Sequence, residues 1–244
     1  MRLRQALLVV LMLGAPVAAL LLWPLAAAAQ PFQGVYLGIG AGYHETSNAG
    51  AASPSFPGGN GLELRENGGF AGVVNLGYGL GNGWRMEIEG SDRSNAVGHL
   101  SSGSVATAAG GTIQTYAVMA NVLFDIDVGS PWIYPYLGGG LGYGWSSMNG
   151  VRADATIPSF SFRSSDSAGS AAYQAMAGVS FPMPGVPGLS LTAEYRLFGM
   201  PFTRSFQGTT NGAETSMRLG PMFDQAALFG VRFAFGVRPP SPEK

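Results

Sequence analysis

The chain has 244 residues, 38 of them glycine, and its charged residues nearly balance at a formal net charge of −1. The 13 basic residues are scattered, so the sequence lacks the basic footprint of a nucleic-acid-binding protein. The absence of cysteine excludes a disulfide framework and a thiolate nucleophile. The length fits one domain, and β-barrels often reach this size as a single unit.

The first thirty residues carry the pattern of a secretory leader. Two arginines precede a long apolar run, and small residues follow at 27–29, which is the arrangement that a signal peptidase cleaves. We therefore predict a signal peptide over residues 1–29. An uncleaved anchor is the alternative, since residues 6–25 could span a bilayer, but two prolines interrupt that segment. Nothing after it predicts a second helical span, so insertion into a membrane would rely on strands.

Eight segments between about residues 34 and 235 alternate apolar residues with small or polar ones. A period of two places alternate side chains on opposite faces of a β-strand. In the first segment, for example, Leu37 and Ile39 lie on one face and Gly38 on the other. The pattern predicts one all-β domain over residues 30–236, with an apolar face and a face that carries most of the charged side chains.

The connectors between these segments alternate in length. The long ones cover roughly residues 45–69, 96–111, 148–170 and 204–222, and the short ones cover 79–83, 127–131 and 182–188. A barrel that spans a bilayer has tight turns on one side and long loops on the other, whereas a soluble sandwich has no reason to sort its connectors. The long connectors are rich in small and polar residues, which favours mobile loops.

Aromatic residues indicate which face points outward. With strands running alternately up and down, the aromatic residues of the apolar face fall into two rings. The ring at the long connectors comprises Tyr43, Phe70, Tyr116, Trp145 and Tyr173, and the ring at the short connectors comprises Tyr78, Trp84, Phe124, Phe181 and Phe235. Two rings that bound an aliphatic band are typical of a bilayer barrel. The sequence therefore predicts an eight-stranded antiparallel up-and-down transmembrane β-barrel, and a soluble lipocalin-like barrel would need no such rings.

The opposite face gathers the polar residues that would line the lumen. They are Arg85, Glu87, Glu89, Asn121, Asp125, Gln174, Glu194, Arg196 and Arg232. Eight strands leave an interior only wide enough for side chains, and buried charges are costly unless they are paired. We therefore expect a plugged lumen, and a gated or selective channel is the alternative.

Two segments depart from the simple pattern. Asp92 falls on the outward face of the third strand, so either the strand leaves the membrane by Gly90, or a bulge at Gly90 and Ser91 reverses the faces. After Phe235 the sequence contains three prolines, which cannot join the interior of a sheet. We interpret residues 237–244 as a short periplasmic tail.

The segments GVYLGIGAGY, WRMEIEG, YPYLGGGLGYG and LFGVRFAF resemble the OmpA-like and opacity-type outer-membrane β-barrel families. The resemblance covers nearly the whole mature chain. It implies an eight-stranded barrel in the bacterial outer membrane, with both termini in the periplasm and folding by the outer-membrane assembly machinery. The expected partners are then outer-membrane lipid and lipopolysaccharide, together with an extracellular ligand of the loops.

Few residues are candidates for catalysis. His99 and Ser101 are spaced like the His-x-Ser of lipid A deacylases, to which this short segment is similar, but they fall in a predicted loop. A hydrolase also needs a carboxylate that orients its base, and none is apparent. His44 is distant from His99 in the sequence, which makes a metal site a poor hypothesis. We predict no catalytic, metal or cofactor site and a structural or surface-interaction role. A narrow diffusion channel and a lipid A-modifying enzyme are the alternatives.

Overall fold

The computed structural model describes residues 33–47, 49–53, 60–102, 105–156 and 159–236. No helix in these ranges is long and apolar enough to cross a membrane. The predicted signal peptide and the predicted tail lie outside the described residues. The strands are β1 Gln33–Thr46, β2 Ala49–Ala52, β3 Asn60–Glu66, β4 Gly69–Leu80, β5 Trp84–Ser102, β6 Val105–Asp125, β7 Tyr134–Thr156, β8 Ser159–Ser164, β9 Ser167–Pro182, β10 Leu189–Met200, β11 Arg204–Thr210, β12 Ala213–Leu219 and β13 Met222–Ala234.

Eight of these strands form a closed antiparallel barrel. Their order is β1, β4, β5, β6, β7, β9, β10 and β13, and β13 pairs with β1. The closing pair keeps one register from Tyr36 opposite Ala234 to Thr46 opposite Asp224. The predicted eight-stranded antiparallel barrel is thereby confirmed.

One end of the barrel carries only short turns. They join β4 to β5 at residues 81–83, β6 to β7 at 126–133 and β9 to β10 at 183–188. β1 begins at this end and β13 finishes there, because Gln33 pairs with Leu80 and Ala234 pairs with Tyr36. We call it the tight-turn end, and it is where the sequence predicts the short connectors.

The apolar face of the barrel points outward. Ile39, Ile88, Leu141 and Phe229 expose 65%, 66%, 72% and 73% of their surface. Apolar surface left in water is unfavourable by about 25 cal/mol per Å², whereas a hydrocarbon surrounding accepts it. A wall of this kind suits a barrel that crosses a bilayer.

The long connectors build a second ring above the barrel. β2, β3, β8, β11 and β12 lie within them, and β5, β6 and β7 continue beyond the barrel to meet these strands. The strands β5, β3, β2, β12, β11, β8, β7 and β6 pair in this order and close a ring. We call this ring the extension. The composition favours mobile loops, whereas the described parts of these connectors are mostly paired strands.

An apolar core fills the extension. It comprises Ala51, Val97, Ile113, Met148, Val151, Ala153, Phe162, Phe206, Met217 and Leu219. The period of two does not reveal this core, because the register shifts between Ala96 and His99 and again between Gly110 and Thr112. At the second shift Gly111 has φ +113°, and a Cβ there would lie 2.7 Å from the carbonyl oxygen of Gly150. Only glycine fits such a position.

β5 keeps its alternation through Gly90. Its pairing with β4 and with β6 shows no register shift there, so the bulge considered at Gly90 and Ser91 is wrong. Asp92 stays on the outward face, where Gln114 Nε2 donates to its two carboxylate oxygens at 3.1 and 3.2 Å. Arg93 points inward and is buried. The strand continues into the extension, which fits the alternative that it leaves the bilayer near Gly90.

We predict that Phe206→Ala loosens the extension and leaves the barrel intact. Phe206 is fully buried in the extension core, and truncating a buried phenyl ring costs about 3–5 kcal/mol. Hydrogen–deuterium exchange in micelles should show faster exchange in β8, β11 and β12 and unchanged protection in β1 and β13. Phe202→Ala, at an exposed position, is the control, and equal protection in both variants would contradict the account.

Candidate functional site

The barrel interior is filled by side chains, and all nine predicted lumen residues point into it. Alternate residues of one strand share a face, so β5 alone contributes Arg85, Glu87 and Glu89. Eight of the nine are buried, and Glu194 is half-buried. The structure therefore brings the predicted set together in one place.

Arg85 and Asp125 form the centre of the network near the tight-turn end. Arg85 Nε and Nη2 donate to the two carboxylate oxygens of Asp125, each at 2.9 Å. Arg85 Nη1 also donates to Tyr36 Oη at 3.1 Å, and that hydroxyl donates to Glu87 Oε2 at 2.8 Å. Arg232 Nη1 lies 3.9 Å from Asp125 Oδ2. One aspartate thus serves two arginines, and the bidentate geometry favours its pair with Arg85.

Arg196 lies between two glutamates in the middle of the lumen. Its Nη1 forms an ion pair with Glu89 Oε1, and its Nη2 lies 2.6 Å from Glu194 Oε1. Arg196 Nε donates to the same Glu194 oxygen at 2.8 Å, and Tyr136 Oη donates to Glu194 Oε2 at 3.0 Å. A single guanidinium therefore compensates two buried or half-buried carboxylates.

Two amides join these groups into one network. Asn121 Nδ2 donates to Glu87 Oε1 at 3.0 Å and to Glu89 Oε2 at 3.4 Å. Gln174 Nε2 donates to Asn121 Oδ1 at 2.7 Å and to Glu89 Oε1 at 3.3 Å. Neutral donors between adjacent acids relieve part of their repulsion. The nine side chains and Tyr36 consequently form a continuous set of contacts across the lumen.

Two tyrosines belong to this network although sequence reasoning left them out. A Cβ on Gly77 would lie 2.3 Å from Tyr36 Cζ, and one on Gly178 would lie 2.4 Å from Tyr136 Cζ, so these glycines make room for the rings. The Arg85 guanidinium lies 5.3 and 5.2 Å from the two ring centroids, within the range of a cation–π contact. The inward parity of both tyrosines is the signal that could have found them.

A second buried polar cluster lies at the opposite end of the lumen. Arg93 Nε donates to Asp224 Oδ1 at 3.2 Å, and His44 Nδ1 contacts Asp224 Oδ2. Thr46 Oγ1 donates to the same Oδ2 at 3.0 Å. The Arg93 guanidinium also lies 4.0 Å from the ring centroid of Phe198. Sequence reasoning left Arg93 and Asp224 out of the lumen set, although both residues have the inward parity.

Little space remains between these side chains. A cavity of about 40 Å³ in the lumen is lined by residues that include Tyr36, Asn75, Arg85 and Arg196. A water molecule needs about 10–15 Å³, so the cavity holds about three. Asn75 Oδ1 is buried and has no hydrogen-bond partner among the described residues. A water in this cavity would satisfy it.

The candidates for catalysis do not come together. His99 lies in β5 of the extension, opposite Ala108 and Arg65, so the His-x-Ser segment belongs to a paired strand and not to a loop. His44 lies near the end of β1, at the long-connector end of the barrel, and contacts Asp224. Within the described ranges, no group of three or more His, Asp and Glu residues could hold a metal ion.

The predicted aromatic rings pair across strands at both ends of the barrel. Tyr116 lies opposite Trp145, with ring centroids 6.1 Å apart, and Trp84 lies opposite Phe124 with centroids 4.9 Å apart. All ten predicted aromatic residues lie on the outward face, where seven are exposed and three are half-buried. At the long-connector end polar contacts begin beside the ring, such as the hydrogen bond from Gln114 to Asp92.

Comparison with known proteins agrees with this architecture. Residues 6–221 match the family model of the outer membrane protein beta-barrel domain. The chain belongs to this family. An outer membrane protein of Gluconacetobacter diazotrophicus is 31% identical to it over 256 aligned positions, which cover 98% of this chain and 66% of that protein. The chain thus spans slightly less than two thirds of this relative.

A solved outer-membrane barrel shares the fold. The outer membrane protein OprG of Pseudomonas aeruginosa aligns with a TM-score of 0.54 and 13% identity, over 84% of this chain and 99% of OprG. The outer membrane protein AlkL aligns with a TM-score of 0.46 and 14% identity, over 89% of this chain and 98% of AlkL. At 13% identity the likeness to OprG shows the barrel fold alone.

We predict that Arg196→Met destabilises the barrel by about 3–5 kcal/mol, because it leaves buried carboxylates without their cation. Adding Glu89→Gln should restore part of the loss, since it removes one uncompensated charge. Urea unfolding in lipid vesicles, followed by tryptophan fluorescence, measures both variants. Arg218→Met, at an exposed position of the extension, is the control. An Arg196→Met barrel as stable as the parent would contradict the pairing.

Proposed function

We propose that the protein is a plugged outer-membrane barrel with a structural and surface-interaction role. The observation that carries the proposal is the continuous polar network, and the cavity beside it has a volume of about 40 Å³. Ions and solutes have no open path through such a packed interior.

Apolar side chains close the lumen a second time. Met119, Phe198, Met200 and Met222 pack in one buried cluster near the long-connector end, and the extension core lies beyond it. An ion that passed the polar network would next meet a mixed layer, in which these apolar side chains pack beside the Arg93–Asp224 ion pair, and then the apolar extension core. We infer that the two layers together keep the barrel closed.

The proposed orientation places the tight-turn end in the periplasm and the extension outside the cell. Its support is that β1 begins and β13 finishes at the tight-turn end, as expected for a chain inserted from the periplasm. The outer wall of the extension carries exposed charges such as Arg152, Asp154 and Glu214, which suit water or carbohydrate rather than lipid. Residues 1–29 would direct export, and the assembly machinery and outer-membrane lipid would be the first partners.

A narrow channel is the second candidate, and the cavity beside Asn75 favours it. Water in this cavity would contact Arg85 and Arg196, so a rearrangement of the ion pairs could connect it to either end. The proposed resting state is nevertheless the closed one, because each of these arginines is held by a carboxylate.

We also propose a non-enzymatic role. His44 contacts Asp224, and a carboxylate that orients a histidine base is one part of a hydrolase site. A hydrolase would also need a nucleophile hydrogen-bonded to the other ring nitrogen, and His44 Nε2 has no such partner among the described residues. Lipid A that stays chemically unchanged on overexpression supports this role, and a modified lipid A would overturn it.

We predict that the purified protein shows no stable unitary conductance steps in planar lipid bilayers. The double variant Glu89→Gln with Arg196→Met should loosen the polar network. It should still conduct little, because the cluster of Met119, Phe198, Met200 and Met222 remains in the lumen. The control is a known porin in the same membranes. Stable steps from the parent protein that change in size on neutralising Arg196 would establish the channel and refute the plug.

A further inference from the structure

Two arginines of the extension face each other directly across neighbouring strands. Arg152 on β7 pairs with Arg163 on β8, and both are exposed. Directly opposed residues have Cβ atoms about 4.5–5.5 Å apart, and like charges at this spacing destabilise a sheet. Within the described part of the chain neither guanidinium forms an ion pair. Asp154 lies opposite Ser161 on the same wall and is not within ion-pair distance of either arginine.

A polar cleft begins beside this pair. The described register pairs of β8 with β11 are Arg163 with Thr209 and Phe162 with Thr210. Next to them lies a cleft of about 580 Å³, which is lined by Arg163, Ser164, Ser165, Asp166, Gln207, Gly208, Thr209 and Glu214. The lining therefore offers hydroxyl, amide and carboxylate groups beside a cation.

Hydrogen bonds from β11 to Ser164 and to Asp166, which follows β8, fix the wall of the cleft. Ser164 Oγ donates to the carbonyl oxygen of Gln207 at 2.7 Å, and the Gln207 backbone N–H donates to Asp166 Oδ2 at 2.7 Å. The Gln207 side chain is exposed and remains available to a ligand. These hydrogen bonds fix the positions of the two sides of the cleft relative to each other.

The register arranges these groups in a row. Arg152 lies opposite Arg163, Arg163 opposite Thr209, and Thr209 opposite Glu214. The row has two cations at one end, a hydroxyl in the middle and a carboxylate at the other end. Sugars are recognised by such hydroxyl, amide and carboxylate groups, which hydrogen-bond to their hydroxyls.

The two positive charges of the arginine pair favour a phosphate over a carboxylate as the bound anion. A phosphate ester carries about −1.5 to −2 charges at neutral pH and three acceptor oxygens, which two guanidinium forks can share. A carboxylate carries one charge and is satisfied by a single arginine. Two arginines at directly opposed positions, neither in an ion pair with a described residue, therefore match a phosphate better than a carboxylate.

We propose that Arg152, Arg163 and the adjoining cleft bind a phosphorylated saccharide, and that its source is the phosphorylated core of the lipopolysaccharide around the barrel. This inference rests on the proposed orientation, with the extension outside the cell. Arg152 is seven residues beyond Trp145 in β7, which places it roughly 15–20 Å beyond the aromatic ring for a tilted strand. The site faces sideways at this height, into the carbohydrate layer and beyond the lipid headgroups.

The test measures binding of core oligosaccharide to the full chain in detergent micelles. Mild acid releases this oligosaccharide from lipid A, and one portion is then dephosphorylated. Isothermal titration calorimetry should show binding of the phosphorylated form and at least tenfold weaker binding of the dephosphorylated form. Arg152→Gln with Arg163→Gln should weaken binding of the phosphorylated form at least tenfold, because both charged forks are gone. Arg218→Gln, at an exposed position of the same ring, should bind like the parent.

Two further variants keep the test decisive if the double variant folds poorly. Arg152→Lys with Arg163→Lys retains the charge but loses the planar forks, so it should bind more weakly than the parent while its heat-modifiable gel migration stays the same. Gln207→Ala should weaken binding of the oligosaccharide and leave binding of inorganic phosphate unchanged.

Three results would overturn the proposal. They are equal binding by the double variant, equal binding of the dephosphorylated oligosaccharide, and binding only of intact lipopolysaccharide, which would assign the site to lipid A phosphates. Because the titration uses solubilised protein, it does not depend on sidedness or conductance. A failure of the plug or of the orientation would therefore appear in bilayer recordings or surface labelling, not in this titration.

Discussion

A strand in hydrocarbon must find a hydrogen-bond partner within the protein for every backbone N–H and C=O. The pairing of β1 with β13 supplies the last row of partners, and its register is continuous from Tyr36 to Thr46. Closure removes both sheet edges, so a chain with an apolar outer wall becomes stable in a bilayer without a single helix among its described residues. The lumen, the extension and the rings of aromatic residues all depend on this closure.

Closure also decides what the interior must contain. Because side chains alternate along a strand, half of them point into the barrel and away from lipid. The interior of an eight-stranded barrel has room for side chains only. Polar residues there need partners, which explains why Arg85, Arg196 and Arg232 alternate with carboxylates and why small residues such as Gly77 lie beneath the tyrosine rings. Further out the filling changes to the apolar side chains of the extension core, so one sheet encloses two interiors of different chemistry.

The barrel was predictable because periodicity, connector lengths and aromatic placement all indicate the same eight strands. The lumen set was predictable for the same reason, but its contacts were not, since the choice of Glu89 and Glu194 as partners of Arg196 depends on register and rotamers. The extension was not predictable. Its strands are short and rich in small residues, and the register shifts near Ala96 and Gly111 break the alternation that identifies a strand.

The most direct test of the account is the accessibility of spin labels on the outer wall in lipid vesicles. The chain has no cysteine, so single cysteines can be placed at Leu141 and Phe229, which are the most exposed large apolar residues of the described barrel wall, and at Gln207 of the extension. The account predicts that labels at the first two sites collide with oxygen far more than with a polar nickel complex, and that the label at Gln207 shows the opposite preference. Ready access of the nickel complex to Leu141 and Phe229 would contradict it.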